Sequence, residues 1–129
     1  MTAHISFPKI DINIATFSKF WLSEILRNKI HFQGVIFSDD LTMKGADSAG
    51  SIAQKIVQAF DAGCNIVLIC NDRNAAIEAL NFMEENTFLS SDDLNVLKPT
   101  QSILWDDLEK DPRRLSANNQ INKILSSHI

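Results

Sequence analysis

Two adjacent carboxylates, Asp39 and Asp40, come at the end of the apolar run 34–38. In parallel α/β folds the carboxyl ends of the strands carry the active site, and a carboxylate there can act as a nucleophile, a general base or a metal ligand. Asp is also common where a side chain must accept hydrogen bonds from the backbone of a turn. The residues alone therefore leave two interpretations open, a reactive Asp39 or an aspartate that caps the next turn.

The hydrophobic pattern predicts that these carboxylates lie on a parallel sheet. Continuous apolar runs at 34–38 and 65–70 are typical of strands buried on both faces. Residues 2–4 precede the first run by a similar interval, and we expect them to form an earlier strand. Because strand, helix and strand at intervals of about 30 residues form a βαβ unit, the spacing predicts an α/β fold with three parallel strands.

Helix signals fill the intervals between these strands. Ser18 is expected to cap the first helix, and the sequence 51–54 is a capping box that opens the second, for which Gly63 is a suitable end. A third helix is expected over 73–85. The weaker signals beyond residue 86 predict a turn or helix cap at 90–93 and two helices, at 103–108 and 111–126.

Three strands are too few to form a closed barrel. A (β/α)8 barrel takes about 250 residues, and a three-stranded parallel sheet leaves open edges and an uncovered face. We therefore expect this chain of 129 residues to be a piece of a larger fold. Its open sheet would be covered either by a missing N-terminal half or by self-association.

Charge and cysteine content exclude several classes of function. The formal net charge is −4 and no basic stripe is present, so nucleic acid is not expected as a partner. The longest apolar run, 66–70, is too short to span a bilayer, so we expect no membrane partner. Cys64 and Cys70 form no metal-ligand pattern, and Cys70 is expected to be buried. Together with the absence of a signal-peptide pattern, these thiols favour a cytoplasmic location.

A thirteen-residue segment around the carboxylates is more specific than the aspartate pair. Residues 34–46 read Gly-Val-Ile-Phe-Ser-Asp-Asp-Leu-Thr-Met-Lys-Gly-Ala. This segment resembles the nucleophile segment of the β-N-acetylglucosaminidases of glycoside hydrolase family 3, which carry a Gly-Val-Ile-Phe-Ser-Asp-Asp-Leu-x-Met-x-Gly-Ala run. Neighbouring segments resemble the same family in the same order: 1–4, 15–18, 21–22, 59–64 and 67–71. The resemblance covers residues 1–75 and fades through the tail.

The resemblance implies a fold, an activity and site residues. The fold would be the C-terminal portion of a TIM-type (β/α)8 barrel, with the βα units in 1–88 and a helical tail in 89–129. Asp39, the first aspartate after the serine, takes the family's role of catalytic nucleophile. His4 lies at the end of the preceding strand and is interpreted as substrate-binding, lining the sugar pocket at the barrel mouth; the alternative is a histidine that is hydrogen-bonded to neighbouring loops.

The implied activity is retaining hydrolysis of terminal β-linked N-acetylglucosamine. The carbohydrate substrate would be a muropeptide-type glycoside of bacterial cell-wall recycling, and the reaction would need no cofactor and no metal. In the family, an acid/base histidine on a mobile loop and a Lys-His sugar-binding motif precede the segment present here. Neither has a counterpart in this sequence, so we expect the chain alone to be inactive.

Two other hypotheses remain open. The chain could be a non-catalytic remnant or an interaction module with an α/β fold. It could also resemble a response-regulator receiver, in which paired aspartates would hold Mg²⁺. The receiver is disfavoured because its acidic pair would follow the first strand, whereas Asp39 and Asp40 follow the middle one.

Overall fold

The computed structural model describes residues 1–86, 95–99 and 102–127. The chain divides into two compact units, Met1–Lys98 and Pro99–Ile129. Within the described residues, no helix combines the length and the apolar character that crossing a bilayer requires. The turn predicted at 90–93 lies outside the described residues.

The first unit contains two small sheets and three longer helices among its described residues. Strands β1 and β2 form an antiparallel hairpin, and β3 and β4 form a parallel pair. The strands are β1 (Ser6–Phe7), β2 (Asp11–Ile14), β3 (Phe37–Asp40) and β4 (Ile66–Leu68). The helices are a π-type helix (Phe20–Lys29), α1 (Ile52–Ala62) and α2 (Arg73–Glu85). Short 3₁₀ segments cover Ala15–Phe17 and Lys44–Ala49.

The prediction of three parallel strands is wrong in its first member. Residues 2–4 run beside β3 and donate one backbone hydrogen bond to it, from Thr2 N to Phe37 O at 2.8 Å, but they form no strand. The hairpin β1–β2 follows instead. Its turn is closed by Ile10 N donating to Phe7 O at 2.8 Å, with Pro8 in the position that its fixed φ suits.

Strand β3 starts three residues later than predicted because side chains satisfy the backbone of the residues before it. Arg27 Nη1 donates to Gly34 O at 2.7 Å, and Ile36 N donates to Asn65 Oδ1 at 2.9 Å. Arg27 Nη2 also donates to Asn65 Oδ1, at 2.9 Å. These bonds tie the entries to β3 and β4 together, and the strand pairing begins at Phe37.

The helix predictions from local signals are confirmed. Ser18 Oγ accepts from Trp21 N at 3.0 Å, and Ser51 and Gln54 form the reciprocal capping box of α1. Gly63 ends α1 with φ +119°, a conformation that side chains with a Cβ rarely adopt. In the second unit, α4 (Pro112–Ser126) matches the predicted tail helix 111–126, whereas α3 (Trp105–Lys110) begins and ends two residues later than the predicted 103–108.

Two apolar clusters form the core of the first unit. One centres on Leu22 and Ile36 beneath the π-type helix, and the other on Leu41 and Ile56 between the β3–β4 pair, α1 and α2. Cys64 is buried, which raises the pKa of its thiol to about 11. Cys70, predicted to be buried, is exposed, because β4 ends at Leu68 and the chain turns outward there.

Lys55 is the charged exception in this core. Its side chain is 6% exposed, and its ammonium donates to Leu41 O at 2.9 Å and to Asp47 Oδ1 at 3.2 Å. Leu41 is fully buried and follows the two carboxylates of β3. The lysine therefore anchors the chain that leaves β3 to helix α1.

We predict that Lys55→Met lowers the free energy of unfolding by about 1.5–3 kcal/mol, the usual range for a hydrogen bond to a charged group, because Leu41 O loses its donor. The matched control is Asp47→Asn, at a side chain that is 66% exposed. Since exposed ion pairs contribute about 0–1 kcal/mol, the control should change stability much less. Urea denaturation measures both. Equal losses in the two variants would contradict the assignment.

Candidate active site

The two strands of the parallel pair do not run in even register. Phe37 pairs with Ile66, and Asp40 pairs with Leu68, so three steps along β3 match two steps along β4. One extra residue is therefore accommodated between Phe37 and Asp40, which is a β-bulge at Ser38–Asp39. Bulges redirect side chains and are common beside active sites.

The hydroxyl of Ser38 closes the gap that the bulge opens in the ladder. Ser38 Oγ accepts from Leu68 N at 2.9 Å and donates to Asp39 O at 2.7 Å. The side chain thus takes the place that a backbone carbonyl would occupy in a regular pair. Ser38 is fully buried, so an unpaired Leu68 amide at this position would be costly.

Asp40 is committed to structure. Its Oδ1 accepts from Thr42 N at 3.0 Å, from Thr42 Oγ1 at 2.8 Å and from Cys70 N at 3.1 Å. Burial opposes the ionisation of Asp40, but these hydrogen bonds and the neighbouring His4 outweigh it and hold the pKa of the carboxyl below its ordinary value. Asp40 therefore caps the turn after β3 and ties it to the end of β4.

Asp39 has the opposite character. Its Oδ1 accepts one hydrogen bond, from Asp40 N at 2.9 Å, and its amide donates to Thr2 Oγ1 at 3.0 Å. Within the described part of the chain, Oδ2 accepts no hydrogen bond. The side chain is half-buried at the carboxyl end of β3, as predicted from sequence. One carboxylate oxygen is thus oriented by the backbone, while the other accepts no hydrogen bond among the described residues.

His4 lies against the same end of β3. Its Nε2 donates to Asp40 O at 2.8 Å, and its ring stacks on Phe17 with centroids 5.8 Å apart. Nδ1 is buried and has no hydrogen-bond partner in the described structure. A Cβ added at Gly45 would lie 2.8 Å from His4 Cβ, so this glycine permits the close approach. The imidazole therefore stabilises the carboxyl end of β3 through the Asp40 carbonyl, and its Nε2 carries the hydrogen.

The sequence identified the carboxylates but missed two residues that hold the backbone around them. Thr2 is predicted only as part of a strand, although its hydroxyl accepts a hydrogen bond from the Asp39 amide. Lys55, which holds the Leu41 carbonyl, has a signal in its spacing, because it precedes the buried Ala59 and Ala62 by four and seven residues and so shares their helix face. The described residues bring together no three His, Cys, Asp or Glu side chains able to hold a metal ion.

Comparison with known proteins adds a family to this geometry. The family model described as the glycosyl hydrolase family 3 N terminal domain matches residues 1–96. A β-hexosaminidase of Idiomarina loihiensis is 51% identical over 81 residues, which cover 63% of this chain and 24% of that protein. A β-hexosaminidase of Photobacterium profundum is 41% identical over 123 residues, which cover 90% of this chain and 36% of that protein.

Solved structures agree with these relatives. Native NagZ from Neisseria gonorrhoeae superimposes with a TM-score of 0.60 at 44% identity, over 73% of this chain and 26% of that one. The β-N-acetylglucosaminidase from Thermotoga maritima gives a TM-score of 0.59 at 30% identity, over 73% and 22%. The chain spans well under half the length of the proteins it matches. With a family match over most of its residues, the chain belongs to glycosyl hydrolase family 3.

Proposed function

We propose that this chain carries the nucleophile of a retaining glycosidase that removes terminal β-linked N-acetylglucosamine from muropeptide-type glycosides in the cytoplasm. The names of the relatives support the class of reaction and of sugar. The single observation that carries the proposal is the difference in hydrogen bonding between the two carboxylates of β3. Asp40 is saturated with hydrogen bonds, whereas Asp39 keeps Oδ2 without a partner among the described residues.

The proposed reaction has two steps. An oxygen of Asp39 attacks the anomeric carbon and forms a C–O bond as the bond to the leaving oxygen breaks, so the sugar becomes a glycosyl ester of the carboxylate. The leaving oxygen takes a proton from a general acid. Water then attacks the same carbon, releases the Asp39 carboxylate and gives the sugar with its configuration retained.

The general acid is not among the described groups that touch Asp39. The described hydrogen-bond partners of Asp39 are the Thr2 and Ser38 hydroxyls and the Asp40 amide, and none of these groups titrates near neutral pH. His4, the nearest imidazole described, uses Nε2 on Asp40 O and has Nδ1 buried. We therefore propose that His4 lines the sugar pocket at the carboxyl end of β3, and that the acid is a group other than the described partners of Asp39.

The proposal for the fold starts from the same observation, that no described group beside Asp39 can serve as the acid. We propose that residues 1–88 are βα units from the C-terminal portion of a TIM-type (β/α)8 barrel and that 89–129 form a helical tail. The rest of the barrel would be a missing N-terminal half or another copy of the chain. A partial barrel buries less apolar surface than a closed one, which limits how rigidly it can hold Asp39.

We predict that the purified chain does not turn over an aryl β-N-acetylglucosaminide at a useful rate. General acid catalysis alone contributes about 10²–10⁴-fold, and substrate positioning contributes more. Release of the aryl alcohol should be the same for the chain and for Asp39→Ala. Asp39-dependent turnover in the usual enzymatic range of about 1–10³ s⁻¹ would show that the chain is a complete catalyst.

The nucleophilic step can be tested without the acid. In a fluorinated N-acetylglucosaminyl fluoride, fluoride leaves with its electron pair and needs little protonation, so Asp39 should still form the glycosyl ester. We predict slow covalent labelling of the chain at millimolar reagent, with intact-mass analysis and peptide mapping placing the sugar on Asp39.

The matched variants are Asp39→Asn and Asp40→Asn, adjacent residues changed in the same way. Labelling should vanish in Asp39→Asn and persist in Asp40→Asn, because Asp40 acts through hydrogen bonds that hold the turn. Labelling that depends on Asp40, or no labelling of the unmodified chain, would overturn the assignment. The second result would favour the non-catalytic interaction module.

A further inference from the structure

The backbone amide of Asp39 is held by a side chain. In a regular parallel ladder this amide would donate to a carbonyl of a neighbouring strand, but it donates to Thr2 Oγ1 at 3.0 Å. Thr2 also reaches β3 on the other side of the bulge, through its own amide and Phe37 O at 2.8 Å. One residue therefore holds β3 on both sides of Ser38.

A second hydroxyl continues this connection into the core. Thr2 Oγ1 and Thr16 Oγ1 are 2.9 Å apart. Because Thr2 Oγ1 accepts from the Asp39 amide, its own hydrogen is available to Thr16. Thr16 is fully buried on the 3₁₀ segment Ala15–Phe17, and its carbonyl lies 3.9 Å from the buried thiol of Cys64. The position of the Thr2 hydroxyl is thus set by the packed interior.

We propose that Thr2 and Thr16 are a positioning pair for Asp39, which fixes the peptide plane from which the carboxylate projects. The proposal deepens the proposed function, since it assigns the residues that orient the nucleophile. The Thr2 hydroxyl fixes the Asp39 amide, and Ser38 Oγ fixes the Asp39 carbonyl at 2.7 Å. With both polar groups of its backbone held, the residue presents its side chain in one direction.

The edge of β3 away from β4 makes this support necessary. The Phe37 carbonyl and the Asp39 amide both bond to Thr2, so they face that edge. The contacts to β4 come instead from Ile36, Ser38 and Leu41. A half-buried amide without an acceptor is unfavourable. The Thr2 hydroxyl supplies that acceptor at the edge of β3 where residues 2–4 form no strand.

The test measures the side-chain rotamer and the amide of Asp39 by NMR, so it requires no turnover. In the unmodified chain, three-bond couplings to the Asp39 carboxyl carbon should report a single χ1 rotamer. Thr2→Val keeps the shape and removes the hydroxyl. It should give averaged couplings and about tenfold faster hydrogen exchange at the Asp39 amide, the effect of losing one hydrogen bond. Thr16→Val should show the same effects more weakly, and Thr2→Ser should restore the single rotamer.

The control is Ser23→Ala. Ser23 lies on the π-type helix, away from β3 in sequence, and its hydroxyl donates to Ala62 O at 3.3 Å. This variant should leave the Asp39 couplings unchanged. A single Asp39 rotamer in Thr2→Val, or equal acceleration of exchange at all amides, would overturn the positioning role. Because labelling by the glycosyl fluoride is a separate experiment, failure of the reaction assignment and failure of the positioning pair are distinguishable.

Discussion

The hydrogen bond from Leu68 N to Ser38 Oγ is the interaction on which the arrangement of the site depends. It lets β3 carry one residue more than β4 without leaving a buried amide unpaired. Without that extra residue, strict alternation would place Asp39 and Asp40 on opposite faces of the sheet, each with an ordinary ladder partner. With it, Asp40 is the residue opposite Leu68, and Ser38 and Asp39 lie within the bulge. The serine in this segment is thus a structural residue, whose hydroxyl holds both the Leu68 amide and the Asp39 carbonyl.

Three further contacts near the bulge come from three different parts of the chain. Lys55 holds the carbonyl of Leu41 from α1, and His4 holds the carbonyl of Asp40 from the N-terminal segment. Cys70 N bonds to the Asp40 carboxylate from the end of β4. Three backbone regions that are distant in sequence therefore converge on a few residues. This convergence explains how a small parallel pair can hold a carboxylate in a defined place even though only one of its oxygens is hydrogen-bonded.

The parts of the structure that local chemistry dictates could be predicted from sequence. The capping box at Ser51 and the glycine at Gly63 delimit α1, and the apolar periodicity of residues 73–85 indicates α2. The position of Asp39 at the carboxyl end of β3 followed from the apolar run that precedes it. The bulge could not be predicted, because it depends on register between strands separated by a helix. Residues 2–4 were expected to form a strand because an extended segment and a strand differ only in their pairing, which the local sequence does not encode. The exposure of Cys70 likewise depends on where β4 stops pairing, not on the apolar character of its neighbours.

Hydrogen-bond couplings measured by NMR test the bulge directly. Scalar couplings across hydrogen bonds identify the acceptor of each amide, so they separate a side-chain acceptor from a backbone one. We expect a coupling between Leu41 N and the carbonyl carbon of Leu68, whose oxygen lies 2.9 Å from that amide. We expect no coupling between Leu68 N and any backbone carbonyl, because the Leu68 amide donates to the Ser38 hydroxyl. A coupling from Leu68 N to the carbonyl carbon of Phe37 or Ser38 would instead show a regular ladder without a bulge.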